Sequence, residues 1–258
     1  MSQSRDTIAL ILGAGKGKRM KSGSPGGTDL PKILQKLNGR YVVDYVIDSA
    51  RQAGIERQIL VIGHQAERAR TALQDRGVEF VEQSPQLGTG HAVMMAEPVL
   101  AGFEGDLVVL CGDMPLVRAE TVRRLVEERQ RLDAAAVVLT AVLDDPAQYG
   151  RVIRDEEGLL KAIVEYRDAD ETTRAIREVN TATYCFRWPE LRPILARLKD
   201  DNDQKELYLT DSIAILVHDG RKVGAVVADD PREGLGVNSS EELRRVEKLI
   251  KNGTRRAG

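Results

Sequence analysis

Thr7-Ile8-Ala9-Leu10-Ile11-Leu12 runs without a break into Gly13-Ala14-Gly15-Lys16-Gly17-Lys18-Arg19-Met20. The first half reads as a buried strand, because an uninterrupted apolar run ended by glycines leaves no polar face for solvent. In the second half the glycines let the backbone turn with its N–H groups pointing inward, which makes a cradle for phosphate oxygens. Lys16, Lys18 and Arg19 add positive charge to the same short stretch. Two common glycine loops do not fit. No Gly-Lys-Ser/Thr follows at the spacing of a nucleoside-triphosphatase loop, and Lys18 stands where a dinucleotide-binding loop needs its third glycine.

Working outward, short apolar runs alternate with amphipathic stretches. Val42, Val43, Val46, Ile47, Ala50 and Ala53 recur at helical spacing, and Gly54 ends that helix. Strand Gln58–Ile62, helix Ala66–Leu73, strand Val78–Val81, a helix from about Gly90 and strand Leu107–Leu110 complete a β-α-β-α pattern. Such alternation predicts a parallel sheet with helices on both faces and a ligand beyond the C-terminal ends of its strands. The second half predicts helix Glu120–Leu132, strand Ala136–Val142 and a hairpin of 152–154 with 159–164 around Asp155-Glu156-Glu157-Gly158. Strand Glu178–Phe186, helices near Pro189–Leu198 and Thr210–Val217, and strand Val223–Val227 follow. Ser239-Ser240-Glu241-Glu242 is a capping-box pattern opening a last helix.

The chain has 258 residues, 42% of them apolar, with 38 basic and 40 acidic residues and a net charge of −2. That balance supplies no global field for nucleic acid or anionic lipid, so any anion site must be local. Cys111 and Cys185 lie in apolar runs without metal-type spacing and are expected to be reduced core thiols of a cytoplasmic protein. No signal peptide or membrane span is expected. His64, His91 and His218 have no ligand spacing, and His91 is expected to cap or pack at its helix start. Ser22–Asp29 (SGSPGGTD) is a flexible loop by composition. No linker is apparent, so a single domain over 5–250 is expected, with a flexible tail over 251–258.

The glycine loop with Arg19-Met20 and a downstream Pro31-Lys32 resembles the signature of nucleotidyltransferases that activate sugar phosphates. Gln83-Ser84-Pro85-Gln86-Leu87-Gly88-Thr89-Gly90-His91-Ala92 resembles the uracil-binding stretch of bacterial N-acetylglucosamine-1-phosphate uridylyltransferases. Gly112-Asp113-Met114-Pro115-Leu116, Tyr149-Gly150-Arg151, Ile163-Val164-Glu165, Glu178-Val179-Asn180-Thr181, Glu206 to Asp211 and Gly236-Val237-Asn238 follow in the family's order. The resemblance implies a Rossmann-like mixed, mainly parallel α/β sheet of the nucleotidyltransferase fold. Its nucleotide half would cover about 5–115 and its sugar half about 116–238.

The chemistry implied is attack by a sugar-1-phosphate oxygen on the α-phosphorus of UTP, which needs positioning and charge neutralisation more than covalent chemistry. By resemblance, Leu12, Gly13, Ala14, Gly15, Lys16, Gln83, Gly88 and Thr89 bind the nucleotide. Lys16 and Arg19 hold the leaving phosphates, and Lys32 braces the α-phosphate or the incoming sugar phosphate. Asp113 and Asn238 hold Mg²⁺, while Gly150, Glu165 and Asn180 recognise the sugar. Partners implied are UTP and a sugar-1-phosphate, with no nucleic acid or membrane, and a homo-oligomer is left open.

Taken singly, each residue has a plainer reading. Asp113 and Asn238 could be helix caps, Gln83 a solvated loop residue, Asn180 a strand-edge polar residue and Glu165 an exposed strand position. A cytidylyl- or guanylyltransferase, a non-catalytic nucleotide-sugar sensor and a glycosyltransferase using Asp168-Ala169-Asp170 are the competing functions. Departures from the family are Gly13 for Ala, Lys18 for Thr, Ala182 for Gly, and a longer loop between Met20 and Pro31. The C-terminal β-helix of bifunctional relatives has no counterpart in this sequence, so no acetyltransferase activity is expected.

Overall fold

Along the run Thr7–Leu12, strand β1, side chains alternate between two separate apolar layers, with Ile8 and Leu10 in one and Ala9 and Ile11 in the other. This is what a strand covered by helices on both faces must do. The computed structural model describes residues 7–15 and 30–254. The short strands β2 (Lys36–Leu37) and β3 (Arg40–Tyr41) follow, then α1 (Val42–Gln52), β4 (Gln58–Ile62), α2 (Ala66–Leu73), β5 (Glu79–Glu82) and α3 (Thr89–Met94). Next come β6 (Asp106–Cys111), α4 (Ala119–Leu132), β7 (Ala136–Val142), β8 (Arg151–Arg154), β9 (Leu160–Val164) and α5 (Glu171–Arg174). The chain continues with β10 (Glu178–Arg187), α6 (Trp188–Leu195), α7 (Asp211–His218), β11 (Val223–Val227) and α8 (Ser240–Thr254).

The main sheet runs β11-β7-β10-β6-β1-β4-β5, with β8 paired to β10 and β9 to β8. Pairings β1–β4, β1–β6, β4–β5 and β7–β11 are parallel, whereas β10 is antiparallel to both β6 and β7. The sheet is therefore mixed and mainly parallel. Because β4 and β6 flank β1, the chain reverses its lateral direction there, and the exits of these three strands border the crevice where ligands of such sheets bind. The antiparallel β10 enters at this same edge, which carries Asn180 to it.

Helices α1, α2 and α4 contribute Val43, Ala69 and Leu125 to one layer; α3, α6 and α7 contribute Val93, Leu191 and Ile213 to the other. A third, smaller cluster of Leu37, Val42, Val237 and Val246 seats α8 against β2 and α1. Ser239 Oγ accepts from Glu242 N at 3.1 Å, as the capping pattern requires, while the Glu242 carboxylate reaches one residue further back and accepts from Asn238 N at 2.6 Å.

Most boundaries match the sequence reading, with instructive differences. The β2–β3 ribbon was not expected, although Asn38 (φ +50°) and Gly39 (φ +83°) form the two-residue turn that an Asn-Gly pair favours. Strand β5 sits one residue later than expected. Helix α5 follows Asp170, whose side chain accepts from Thr173 N at 2.7 Å, so the Asp168-Ala169-Asp170 triplet contains a helix cap. Helix α8 continues through Thr254, into the stretch expected to be a tail. The loop Ser22–Asp29 and residues 255–258 lie outside the described residues. Among the described residues, no helix is long and apolar enough to cross a membrane.

The β8–β9 hairpin meets the main sheet in register at one pair, Val179 with Arg151. Arg151 is 2% exposed. Its guanidinium donates to the carbonyls of Arg174 (3.1 Å), Ala147 (2.9 Å) and Tyr149, gathering the chain around the hairpin.

Candidate active site

Four strand exits are tied together by three backbone bonds. Gly13 N donates to Val61 O (2.8 Å), Gly112 N to Leu12 O (2.9 Å) and Gln83 N to Ile62 O (2.8 Å). Gly13 is held close: a methyl group on it would stand 3.0 Å from Ile33 Cδ1 and 3.1 Å from Val61 O. Leu12, Gly13, Ala14 and Gly15 thus lie at the head of the crevice, while Lys16 and Arg19 lie outside the described residues.

Lys32 reaches this edge from the single helical turn after Pro31, whose Ile33 and Leu34 are buried. Its ammonium donates to the Asp113 carboxylate and, at 2.5 Å, to Asn238 Oδ1. Asp113 and Asn238 are 125 positions apart by their numbers. They meet because Val237 N donates to Asp113 O at 2.8 Å and the Val237 side chain is fully buried. Neither side chain caps a helix. Helix α4 begins only at Ala119, and Ser239 caps α8. A carboxylate and an amide oxygen around one cation form a hard oxygen donor set.

On one side of this centre, Gln83 is 3% exposed, not solvated. Its Nε2 donates to Gly88 O at 2.9 Å and lies 3.1 Å from His91 Nδ1. Gly88 has φ +107°, and a Cβ there would stand 2.6 Å from Leu207 O, so only glycine fits. Thr89 Oγ1 accepts from Leu209 N at 2.9 Å, and Gly90 N donates to Leu207 O at 2.8 Å, pinning the start of α3. His91 therefore does more than pack at a helix start. His64 is at the same edge, its N donating to Ala14 O at 3.3 Å and its Nε2 buried with no partner among the described residues.

On the other side, Gly150 O accepts from Asn180 N at 2.9 Å, and a Cβ on Gly150 would lie 3.5 Å from both Glu165 carboxylate oxygens. Gly150, Glu165 and Asn180 thus come together. Glu165 is half-buried just past the end of β9, where Thr210 Oγ1 donates to it at 3.2 Å. Burial pushes its carboxyl above the ordinary carboxylate range; the Thr210 bond opposes this, and the Asp211 charge adds to it. Asn180 is buried, donating to Tyr184 Oη at 2.6 Å and accepting from Ala182 N at 3.0 Å. Ala182 has φ +54° at the point where the β10–β7 register slips. Asn180 bridges that bulge.

Thr210, Tyr184 and Cys111 carried no role in the sequence reading. Cys111 is the last residue of β6, and its Sγ lies 3.6 Å from Ala182 O, joining the two halves of the crevice. Tyr149 was read only as part of a matched segment; its hydroxyl accepts from Gly236 N at 3.3 Å, on the arm that delivers Asn238. Their signal was position next to a strand exit or a matched segment, which side-chain type alone does not reveal.

The model of a family described as "MobA-like NTP transferase domain" matches residues 9–208. "Bifunctional protein GlmU" of Synechococcus sp. (strain RCC307) is 46% identical over 246 residues, covering 95% of this chain and 52% of that protein. The protein of the same name from Prochlorococcus marinus (strain MIT 9313) is 44% identical over 249 residues, covering 95% and 53%. The chain thus spans about half the length of these curated relatives. Among solved structures, "The Crystal Structure of UDP-glucose pyrophosphorylase complexed with UDP-glucose" superposes with a TM-score of 0.75, covering 96% of this chain and 99% of that one, at 18% identity. At that identity the likeness concerns the fold.

Proposed function

Because the chain belongs to the MobA-like NTP transferase domain family, we propose that it transfers UMP from UTP to a sugar-1-phosphate, N-acetylglucosamine-1-phosphate foremost. The products are a UDP-sugar and pyrophosphate. The observation that carries this reading is the meeting of Lys32, Asp113 and Asn238 between Gln83 on one side and the Gly150–Glu165–Asn180 group on the other.

In the reaction, a phosphate oxygen of the sugar-1-phosphate attacks the α-phosphorus of UTP. A new P–O bond forms, and the bond to the bridging oxygen breaks to release pyrophosphate. Both reactants are anions, so the chain must first bring them together against repulsion. Lys32 supplies a fixed ammonium at the meeting point, and Lys16 and Arg19 of the glycine loop take the leaving phosphates. Asp113 and Asn238 would hold Mg²⁺, which when bound neutralises phosphate charge; their hard oxygens suit that ion. Gln83 faces the uracil edge, with Gly88 and Thr89 against base and ribose. Glu165 accepts from a sugar hydroxyl, and Asn180 has one further donor and one further acceptor site on its amide.

The test is a matrix of nucleoside triphosphates against sugar-1-phosphates, scored by pyrophosphate release. UTP with N-acetylglucosamine-1-phosphate is expected to give the highest kcat/KM. A maximum with CTP or GTP would overturn the uridylyl reading, and a maximum with another sugar would overturn the acceptor assignment.

A further inference from the structure

Gln83 carries one amide with two N–H donors and one oxygen acceptor. Gly88 O lies 2.9 Å from Nε2. A carbonyl oxygen can only accept, so this contact fixes which end of the amide is nitrogen. His91 Nδ1, 3.1 Å from the same Nε2, then faces the second N–H. It accepts that bond in the tautomer that carries its proton on Nε2. Both amide hydrogens are then engaged by the protein. Among the described residues, Oε1 has no hydrogen-bond partner.

We infer that His91 is a positioning residue that sets base selectivity by taking up the second amide hydrogen, so that Gln83 offers the base an acceptor and nothing else. The inference rests on the uracil reading of Gln83 proposed above. An acceptor complements uracil, whose N3 carries a hydrogen. It opposes cytosine, whose N3 is itself an acceptor. Without His91, the second N–H becomes available beside Oε1 and can donate to cytosine N3. Discrimination then falls even though Gln83 is intact. The element that carries His91 is suited to this, since Gly90 N and Thr89 Oγ1 fasten the first turn of α3 to the 207–209 segment.

The test compares kcat/KM for UTP and CTP in the wild type, His91→Phe, His91→Asn and Gln83→Ala. Phe keeps a planar ring and loses the acceptor, with His91→Leu as substitute where the larger ring is not accommodated. Asn places Oδ1 at about the distance of Nδ1 from the backbone. His91→Phe is expected to lower the UTP:CTP ratio about tenfold, the scale of one hydrogen bond, through KM more than kcat. His91→Asn is expected to restore most of the ratio. A wild-type ratio in His91→Phe, or an equal loss in His91→Asn, overturns the role of His91. If Gln83→Ala also leaves the ratio unchanged, or the wild type prefers CTP, the uracil reading fails and this inference with it. If Gln83→Ala lowers the ratio and His91→Phe does not, the role of His91 alone is refuted.

Discussion

Replacing Asp113 by Asn keeps the shape of the side chain and one oxygen acceptor, so the change removes charge and little else. Asp113 is the anion of a trio whose other members are the Lys32 ammonium and the neutral Asn238 amide. The backbone bond from Val237 N to Asp113 O, 2.8 Å, does not depend on the side chain. Asn at this position still accepts from Lys32, and the pair is partly exposed, so stability should change by only about 1 kcal/mol. Turnover is another matter. A site lacking one fixed charge at the reacting phosphates loses roughly 10²–10³-fold in rate, the scale of one electrostatic stabiliser. Asn238→Ala removes a neutral oxygen that water can replace, and about tenfold is expected. The assay is steady-state pyrophosphate release at saturating UTP and sugar phosphate across a Mg²⁺ titration, with thermal unfolding in parallel. Asp113→Asn turning over within threefold of wild type at saturating Mg²⁺ would refute the reasoning and leave Asp113 as a partner of Lys32 alone.

Three further outcomes are expected. Ala182→Gly should stabilise the fold by roughly 0.5–1 kcal/mol in denaturant unfolding, because an L-residue at φ +54° costs about 1–2 kcal/mol and the added freedom of glycine returns part of that; an unchanged midpoint would mean the bulge relaxes elsewhere. Glu165 has a carboxyl raised above its ordinary value near 4.5 by burial, so the folded state holds the proton more tightly than the unfolded one. Its contribution is fully present below that ordinary value and is lost as pH rises through the folded value. Glu165→Gln should therefore raise the melting temperature at neutral pH, with a shrinking advantage towards pH 4, while raising KM for the sugar phosphate. Gly88→Ala should cost roughly 2–5 kcal/mol, since its methyl would meet Leu207 O at 2.6 Å in a backbone conformation of φ +107°; a melting temperature near wild type would contradict that contact.

The parts of this molecule legible in its sequence are those governed by local pattern. Thr7–Leu12 and Gln58–Ile62 are each bounded as strands by a polar residue before and a glycine after, and lie in the buried sheet, so run length alone marks them. The direction of β10 is different. Its residues would suit either sense, and the antiparallel choice comes from pairing with β6 and β7 at once, which no local window contains. The site divides in the same way. The glycine loop announces itself by residue type, whereas Gly88 enters only through the resemblance of its segment. The pairing of Asp113 with Asn238, 125 positions away by number, is implied only by a family resemblance, because it depends on the buried Val237 and on α8 packing against β2, and the bond from Lys32 to Asn238 is not implied at all. Thr210 figures only within a matched segment and Cys111 only as a core thiol, since a threonine or a cysteine at an element's end usually has no task beyond packing.

The hairpin of β8 and β9 has an implication for how such enzymes diversify. It joins the main sheet at a single registered pair, and the buried Arg151 organises its surroundings from within. It also brings Gly150 and Glu165 to the site. The registered pair is not its only anchor, because Val152, Leu160 and Ile163 of the hairpin share an apolar layer with Ile213 and Leu216 of α7, and Arg154 donates to Glu178 of β10. A hairpin transplanted between relatives, cut on either side of residues 146–174 so that Arg151 travels with its carbonyl partners, must therefore also bring apolar side chains that match α7.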